Sequence, residues 1–173
     1  LELTRAVFGA ELIVIKRPMD MGLVSKQMVD EMQALYRGRQ IVLELAGNMQ
    51  GDWDRARIGQ VFSNLIGNAI QYSFKDTPVL VRVKGDANEI ILSVHNQGFP
   101  IASHKVGTIF DALVRSADDH TEEQTGSVNL GMGLYITKKI VESRDGSAIS
   151  ATADWGESTE KAGTTFTAKI PRH

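Results

Sequence analysis

The chain has 173 residues, 42% hydrophobic and 23% charged, which suits one globular domain with an ordinary core. Its 19 Lys and Arg against 21 Asp and Glu leave a formal charge of −2, with the basic residues scattered, so no nucleic-acid partner is expected. Cysteine is absent, which excludes disulfides, thiolate metal sites and thiol catalysis, and no apolar run approaches the roughly 20 residues that span a bilayer.

The opening Leu1-Glu2-Leu3 lacks an initiator methionine and does not read as a signal peptide. Leu1 to Arg5 resembles the tail of a preceding helix, as in a segment cut from a longer protein, and Ile13 to Ile15 reads as a short extended run. Met21 to Tyr36 carries Leu23, Met28, Met32 and Leu35 at mostly helical spacing, with Arg37-Gly38-Arg39 as a stop. Ile41 to Leu45 is strand-like, and Asp52-Trp53-Asp54 leads into a central helix in which Asp54 caps free backbone N–H groups. That helix is expected to run to about Ser73.

Val79 to Lys84 and Ile90 to His95 alternate as two strands joined by a turn over Asp86 to Glu89. The stretch from Ala102 to Leu130 is rich in Ser, Asp, Glu, Thr and Gly and reads as a mobile loop, of a length that is usually either disordered or a functional lid. Gly131-Met132-Gly133 is expected to open a helix from Leu134 to about Arg144, closed by Asp145-Gly146, before two last strands near Ala148 to Ala153 and Thr164 to Ile170. No internal repeat is visible.

Asn64, Asn68 and Gln71 fall at i, i+4 and i+7 of the central helix and share one face. They form a polar stripe beside the apolar one made by Ile58, Val61, Phe62, Leu65, Ile66 and Ala69, and such a stripe suits a hard cation or phosphate oxygens. Gly98 directly follows a strand, where a missing Cβ lets backbone approach a flat base closely, and Asn96 offers a carboxamide at the strand's end. Gly131 and Gly133 at a helix start would put unpaired N–H groups under a polyphosphate. Taken singly, each has a plainer reading. An isolated helical Asn is usually solvated or locally bonded, and Gly163-Thr164-Thr165-Phe166 alone is a turn into a strand. His95, His104, His120 and His173 share no metal spacing, and the methionines Met19, Met21, Met28, Met32 and Met49 read as core. Trp53 and Trp155 read as packing or surface residues.

In order, these elements resemble the catalytic ATP-binding domain of bacterial sensor histidine kinases, in the GHKL superfamily that also includes type II topoisomerases, mismatch-repair ATPases and heat-shock chaperones. Residues 64 to 73 resemble the family's Asn-rich box, VHNQGFPI (94 to 101) its first glycine box, and Ile109-Phe110-Asp111 its Phe box. GMGLYI (131 to 136) and GTTF (163 to 166) resemble the second and third glycine boxes. The combination of NAIQYS, VHNQGFPI and FDALVR looks closest to the bacteriophytochrome-like group.

The resemblance implies a Bergerat fold: an α+β two-layer sandwich, a mixed β-sheet packed on helices with an ATP lid. Residues 1–15 would be the end of a dimerisation and phosphoacceptor helix with its linker, and 16–173 the catalytic domain. It implies Mg²⁺ at Asn68, with Asn64 supporting it or touching phosphate, and ATP contacts from Gln71, Tyr72, Asn96, Gly98, Ile101, Phe110, Gly131, Met132, Gly133, Leu134 and Thr164. Two positions depart from the family pattern. Asn96 stands where Asp usually accepts from the adenine amino group, and Gln71 where a Lys often points at phosphate; Arg115, or Lys138 or Lys139, would replace that charge. Pro100 and Arg144-Asp145-Gly146 are lesser departures.

The implied activity is transfer of the ATP γ-phosphoryl group to a histidine on a separate helix bundle of the same protein, and onward to a response regulator. The intact kinase would be a cytoplasmic-facing homodimer, soluble or membrane-anchored, with no direct membrane contact by this domain. No residue here resembles the acceptor histidine. The topoisomerase and chaperone branches place a catalytic Glu where Asn64 stands, which disfavours hydrolysis as the main activity. The alternative is a degenerate nucleotide sensor or docking module without kinase turnover.

Overall fold

A computed structural model of the chain describes residues 13–98, 110, 128–143, 147–154 and 162–173. The first described strand, β1 (Arg17–Asp20), ends on Asp20, whose side chain accepts from the backbone N–H groups of Gly22 and Leu23 and so starts helix α1 (Met21–Leu35). β2 (Ile41–Gly47) and β3 (Gln50–Trp53) follow, and α2 (Arg55–Tyr72) begins at Asp54, whose Oδ1 accepts from Ala56 N at 3.0 Å and Arg57 N at 3.3 Å. Then come β4 (Val79–Gly85), β5 (Glu89–Gln97), α3 (Val128–Glu142), β6 (Ala148–Asp154) and β7 (Gly163–Pro171).

The strands form a five-stranded mixed sheet in the order β2-β4-β5-β7-β6, and β1 and β3 pair apart from it. β2 runs parallel to β4; every other neighbour in the large sheet is antiparallel. Alternate residues of β5, Ile90, Leu92 and Val94, are buried and face across the ladder to Ile170, Ala168 and Phe166 of β7. Ile58, Val61, Phe62, Leu65, Ile66 and Ala69 of α2 share their core, as do Leu134, Ile136, Ile140 and Val141 of α3. Each such buried aliphatic side chain stabilises the fold by roughly 1.5–3 kcal/mol. One face of the sheet carries the helices and the other bears polar and half-buried residues such as Arg82, Ser93, Ser150 and Thr167, which makes two layers. The expected α+β sandwich with a mixed sheet is the observed architecture.

Three expectations need correction. Residues 13–16 form no strand; the extended element starts at Arg17. Asp52 and Trp53, expected only to lead into the helix, belong with Gln50 and Gly51 to strand β3, and its last residue, Trp53, is fully buried with its Nε1 donating to Pro171 O at 2.9 Å. Finally, α3 starts at Val128 rather than Leu134, so Gly131 and Gly133 lie inside its first turns and do not open it. Their N–H groups are therefore not all at the unbonded helix end that a polyphosphate would meet. Helix α3 ends at Glu142, and the expected stop at Arg144 to Gly146 lies outside the described residues, as does residue 127 and nearly all of the expected lid before it.

Candidate functional site

The apolar face of the β5–β7 ladder changes character at one end. After the pairs Leu92 with Ala168 and Val94 with Phe166, the next pair on that face is Asn96 with Thr164. Both are buried, at 2% and 4% exposure. A buried carboxamide costs stability unless it is hydrogen-bonded, so two polar side chains ending an apolar face mark a place with polar work to do. Phe110 packs just before this step, edge-on to Phe166 with ring centroids 5.8 Å apart and planes at 78°. Its ring belongs to the core.

The turn after β5 is pressed against the end of α2. Phe74 N donates to Gln97 O at 2.9 Å, and Gly98 N donates to Ala162 O at 2.9 Å. A Cβ on Gly98 would lie 2.4 Å from Tyr72 O, and one on Gly163 would lie 2.0 Å from Asn96 O. Both glycines are thus required by close backbone contacts within the chain.

The same α2 reaches the second glycine segment about two turns earlier, at Asn64. Gly133 O accepts from Thr137 Oγ1 at 2.8 Å and from Asn64 Nδ2 at 3.2 Å, and Asn64 Nδ2 also donates to Thr137 Oγ1 at 3.2 Å. A carbonyl needs a donor, so the NH₂ group of Asn64 is committed to α3, while its Oδ1 lies 3.6 Å from where a Cβ on Gly133 would be. Asn68 lies one turn further on, between the Asn64 contact with α3 and the Tyr72 contact with Gly98, and it is 2% exposed. Asn64, Asn68 and Tyr72 are thus spaced along one face of α2, with Asn64 against Gly133 of α3, Tyr72 against Gly98, and Asn96 paired with Thr164 just before that turn.

Gln71 and Tyr72 close the same helix, while Leu134 is a core residue at 1% exposure. Gly131 and Met132 are placed only as backbone of α3. Ile101 and Arg115 lie outside the described residues. Lys139 is exposed with its ammonium 5.4 Å from the centre of the Tyr135 ring, a cation–π contact that holds it on its own helix. His95 Nδ1 lies 2.7 Å from Thr165 Oγ1 on the other face of the sheet, in keeping with a structural part, and His173 is exposed. Among the described residues no group of three His, Asp or Glu could hold a metal ion.

A shallow crevice of about 20 Å³ lies at the opposite end of α2, walled mainly by Val14, Trp53, Ile58, Val61, Val141 and Ile170, with Asp54, Arg57 and Ser143 at its edge. Its apolar walls carry none of the residues just described. Two residues that bond to α2, Thr137 and Arg39, were not legible in that part. Thr137 sits one turn after Gly133 within an apolar run, and a buried hydroxyl at that spacing was its only signal. Arg39 belongs to a turn read merely as a helix stop, yet it bonds to α2 31 residues away.

Residues 53–173 match the family model described as histidine kinase-, DNA gyrase B- and HSP90-like ATPase. The chain belongs to that family and is, within it, an ATP-binding catalytic domain of the two-component sensor histidine kinase type. The bacteriophytochrome of Pseudomonas aeruginosa is 28% identical over 146 residues, covering 84% of this chain and 20% of that protein. The sensor protein kinase WalK of Staphylococcus saprophyticus is 35% identical over 120 residues, 68% of this chain and 18% of the relative. The chain thus spans a minor part of both relatives' length.

Full-length ShkA in complex with AMPPNP superposes with a TM-score of 0.76 at 22% identity, covering 98% of this chain and 35% of that one. Histidine kinase ThkA in complex with the response regulator protein TrrA gives a TM-score of 0.76 at 20% identity, over 99% and 46% of the two chains. At those identities the likeness establishes the fold. The family and the architecture expected from the motifs are the ones found.

Proposed function

We propose that the chain binds Mg·ATP at the face of α2 that carries Asn64, Asn68 and Tyr72 and supplies the γ-phosphoryl group to a histidine on a separate helix bundle of the same protein. The observation that carries this reading is the pair of buried carboxamides, Asn68 on the helix and Asn96 on the sheet, bracketed by Gly98 and Gly133. ShkA was solved with AMPPNP and ThkA with a response regulator, which supports a nucleotide and a regulator as partners here. Residues 1–15 would lead in from the bundle, 16–173 would form the catalytic domain, and the intact protein would be a homodimer. Among the described residues no helix is long and apolar enough to cross a membrane, and an aqueous, cytoplasmic working place fits the ATP supply.

The residues present fit the ligand. Asn96 offers one oxygen and one NH₂ on a flat group, the pairing that reads the amino group and adjacent ring nitrogen of adenine. Thr164, its cross-strand neighbour, would add a hydroxyl to the same wall. Asn68 offers the hard oxygen that Mg²⁺ takes, whereas the NH₂ of Asn64 is occupied on α3, so Asn64 serves by fixing the helix pair. Mg²⁺ when bound neutralises phosphate charge and orients the triphosphate. Gln71, Tyr72, Met132, Gly131 and Gly133 lie on the two helices nearest the phosphates, with Arg115 and Ile101 as lid-side and base-side contacts. Transfer then consists of positioning: the imidazole nitrogen forms the bond to phosphorus as the bond to the bridging oxygen breaks, and ADP leaves.

Calorimetry of ADP binding with and without Mg²⁺ tests the reading. Wild type is expected to bind more tightly with Mg²⁺, and Asn68→Ala to lose that gain. No heat from wild type at millimolar Mg·ADP would overturn it. Labelled ATP mixed with the chain and its helix bundle separates a kinase, which yields labelled histidine, from the nucleotide sensor that Asn96 and Gln71 would suit.

A further inference from the structure

The C-terminal end of α2 is held by a residue that the family motifs do not contain. Arg39 sits in the turn between α1 and β2, and its guanidinium spans the helix end and the segment after it. Nη1 donates to Ile70 O at 3.2 Å, and Nη2 donates to Phe74 O and Thr77 O, each at 3.2 Å, and to Ser73 Oγ. Ile70 O belongs to the last turn of α2, where carbonyls lack intrahelical partners and a cation is favoured by the dipole. The turn itself is strained, since Asp76 adopts φ +67°, a left-handed conformation uncommon outside glycine. One nitrogen of Arg39 ties both ends of that turn, Phe74 O and Thr77 O.

Arg39 is in turn anchored. Gln33 of α1 accepts from Ile41 N at 3.0 Å and donates to Tyr36 O at 3.3 Å and to Arg39 O, so the turn that carries Arg39 is fixed at its root. On the far side, Phe74 N donates to Gln97 O, and Gly98 packs on Tyr72 O with no room for a Cβ. The chain of contacts runs from Gln33 through Arg39 to Phe74, and from there to the backbone that follows Asn96. Arg39 is only half-buried, and a clamp far from any ligand would be expected at a surface turn only if that turn's position mattered.

We propose that Arg39 is a positioning residue for the base-binding end of the site: by tying Ile70, Ser73, Phe74 and Thr77 together it sets the wall against which the Asn96 to Gly98 turn rests. The inference builds on the nucleotide-site reading above. Arg39 itself touches no ligand. A lysine is an incomplete replacement: its ammonium could face acceptors that converge on Nη2, but it lacks the second nitrogen of the planar fork that holds Ile70 O at the same time.

ADP binding to the 173-residue chain, measured by calorimetry on Arg39→Ala and Arg39→Lys beside wild type, tests this. Arg39→Ala is expected to weaken ADP about tenfold, as a misplaced wall does, and to narrow the preference for ADP over GDP. In a transfer assay with the bundle, the loss falls on the KM for ATP rather than on kcat. Arg39→Lys, which keeps the charge and the stem and so guards against a variant that fails to fold, is expected to remain impaired. Either folded variant binding ADP like wild type, with the same preference over GDP, overturns the positioning role. Absence of ADP binding by wild type instead overturns the nucleotide site, and the two failures are distinguishable.

Discussion

The two ends of the β5–β7 ladder are built from the same materials and finished differently. At the end where Gly85 pairs with Ile90 and Glu89 with Pro171, glycines again allow backbones to touch: a Cβ on Gly85 would lie 1.8 Å from Asn48 O, and Gly47 adopts φ +82°. That end is filled by the chain's own cation. Arg172, 3% exposed, donates to Gln50 O at 2.5 Å, Asn48 O at 2.7 Å and Asp86 O at 2.7 Å. At the opposite end, the buried polar groups are carboxamide and hydroxyl side chains, Asn96, Thr164 and Asn68. Close-approach glycines therefore report crowded backbone, not a ligand. What separates the two ends is what is buried there: a guanidinium bonded to three backbone carbonyls at one, uncharged carboxamides and a hydroxyl at the other, with Arg39 only half-buried beside them.

Replacing the clamp should affect stability and leave binding intact. Arg172→Ala strands three carbonyls in part-buried surroundings and is expected to cost about 3 kcal/mol in denaturant unfolding, with ADP affinity unchanged in whatever fraction remains folded. A large fall in ADP affinity would erase the contrast between the ends. Next in size, Gly98→Ala pushes a methyl into Tyr72 O and should separate the turn from α2; a loss of roughly 1–2 kcal/mol of stability is expected together with weakened ADP binding. Loss of stability with unchanged binding would place Gly98 with Gly85 as a packing glycine only.

The smallest effect concerns the hairpin at the clamped end. Backbone N–H groups of Glu89 and Asn88, with weaker help from Arg172 and Lys84, hold the Asp86 carboxyl below its ordinary value of 3.8. A depressed carboxylate stabilises the fold above its unfolded pKa, and that contribution is lost as pH falls through the lower folded value. Asp86→Ala should therefore lower the melting temperature slightly at neutral pH, and the difference from wild type should shrink below pH 3.8. A difference that instead grew on acidification would contradict the carboxylate's part.

Elements with a strong period were legible. The stripe of Val61, Phe62, Leu65 and Ile66 and the cap at Asp54 give α2 within a residue or so, and the alternation of β4 and β5 with their short turn gives the hairpin. β3 was not, because Gln50-Gly51-Asp52-Trp53 has no alternation and is made a strand by pairing with β1 and by burial of Trp53. The start of α3 was misplaced because two glycines, each costing about 1 kcal/mol in a helix, look like a boundary when tertiary contacts carry the helix through them. Of the site, the residue types at Asn64, Asn68 and Asn96 were visible. The commitment of the Asn64 NH₂ to Gly133, and the reach of Arg39 to Phe74, depend on partners distant in the chain and leave no local trace.

The order of the strands has a consequence for how the chain is made. β7 is the last of them to be synthesised, yet it lies between β5 and β6. Until residues 163–171 leave the ribosome, β5 presents a bare row of amides and carbonyls, and Ile90, Leu92 and Val94 lack their partners. The nascent polypeptide must hold a long open loop before its middle closes, and pairing at such separation slows folding.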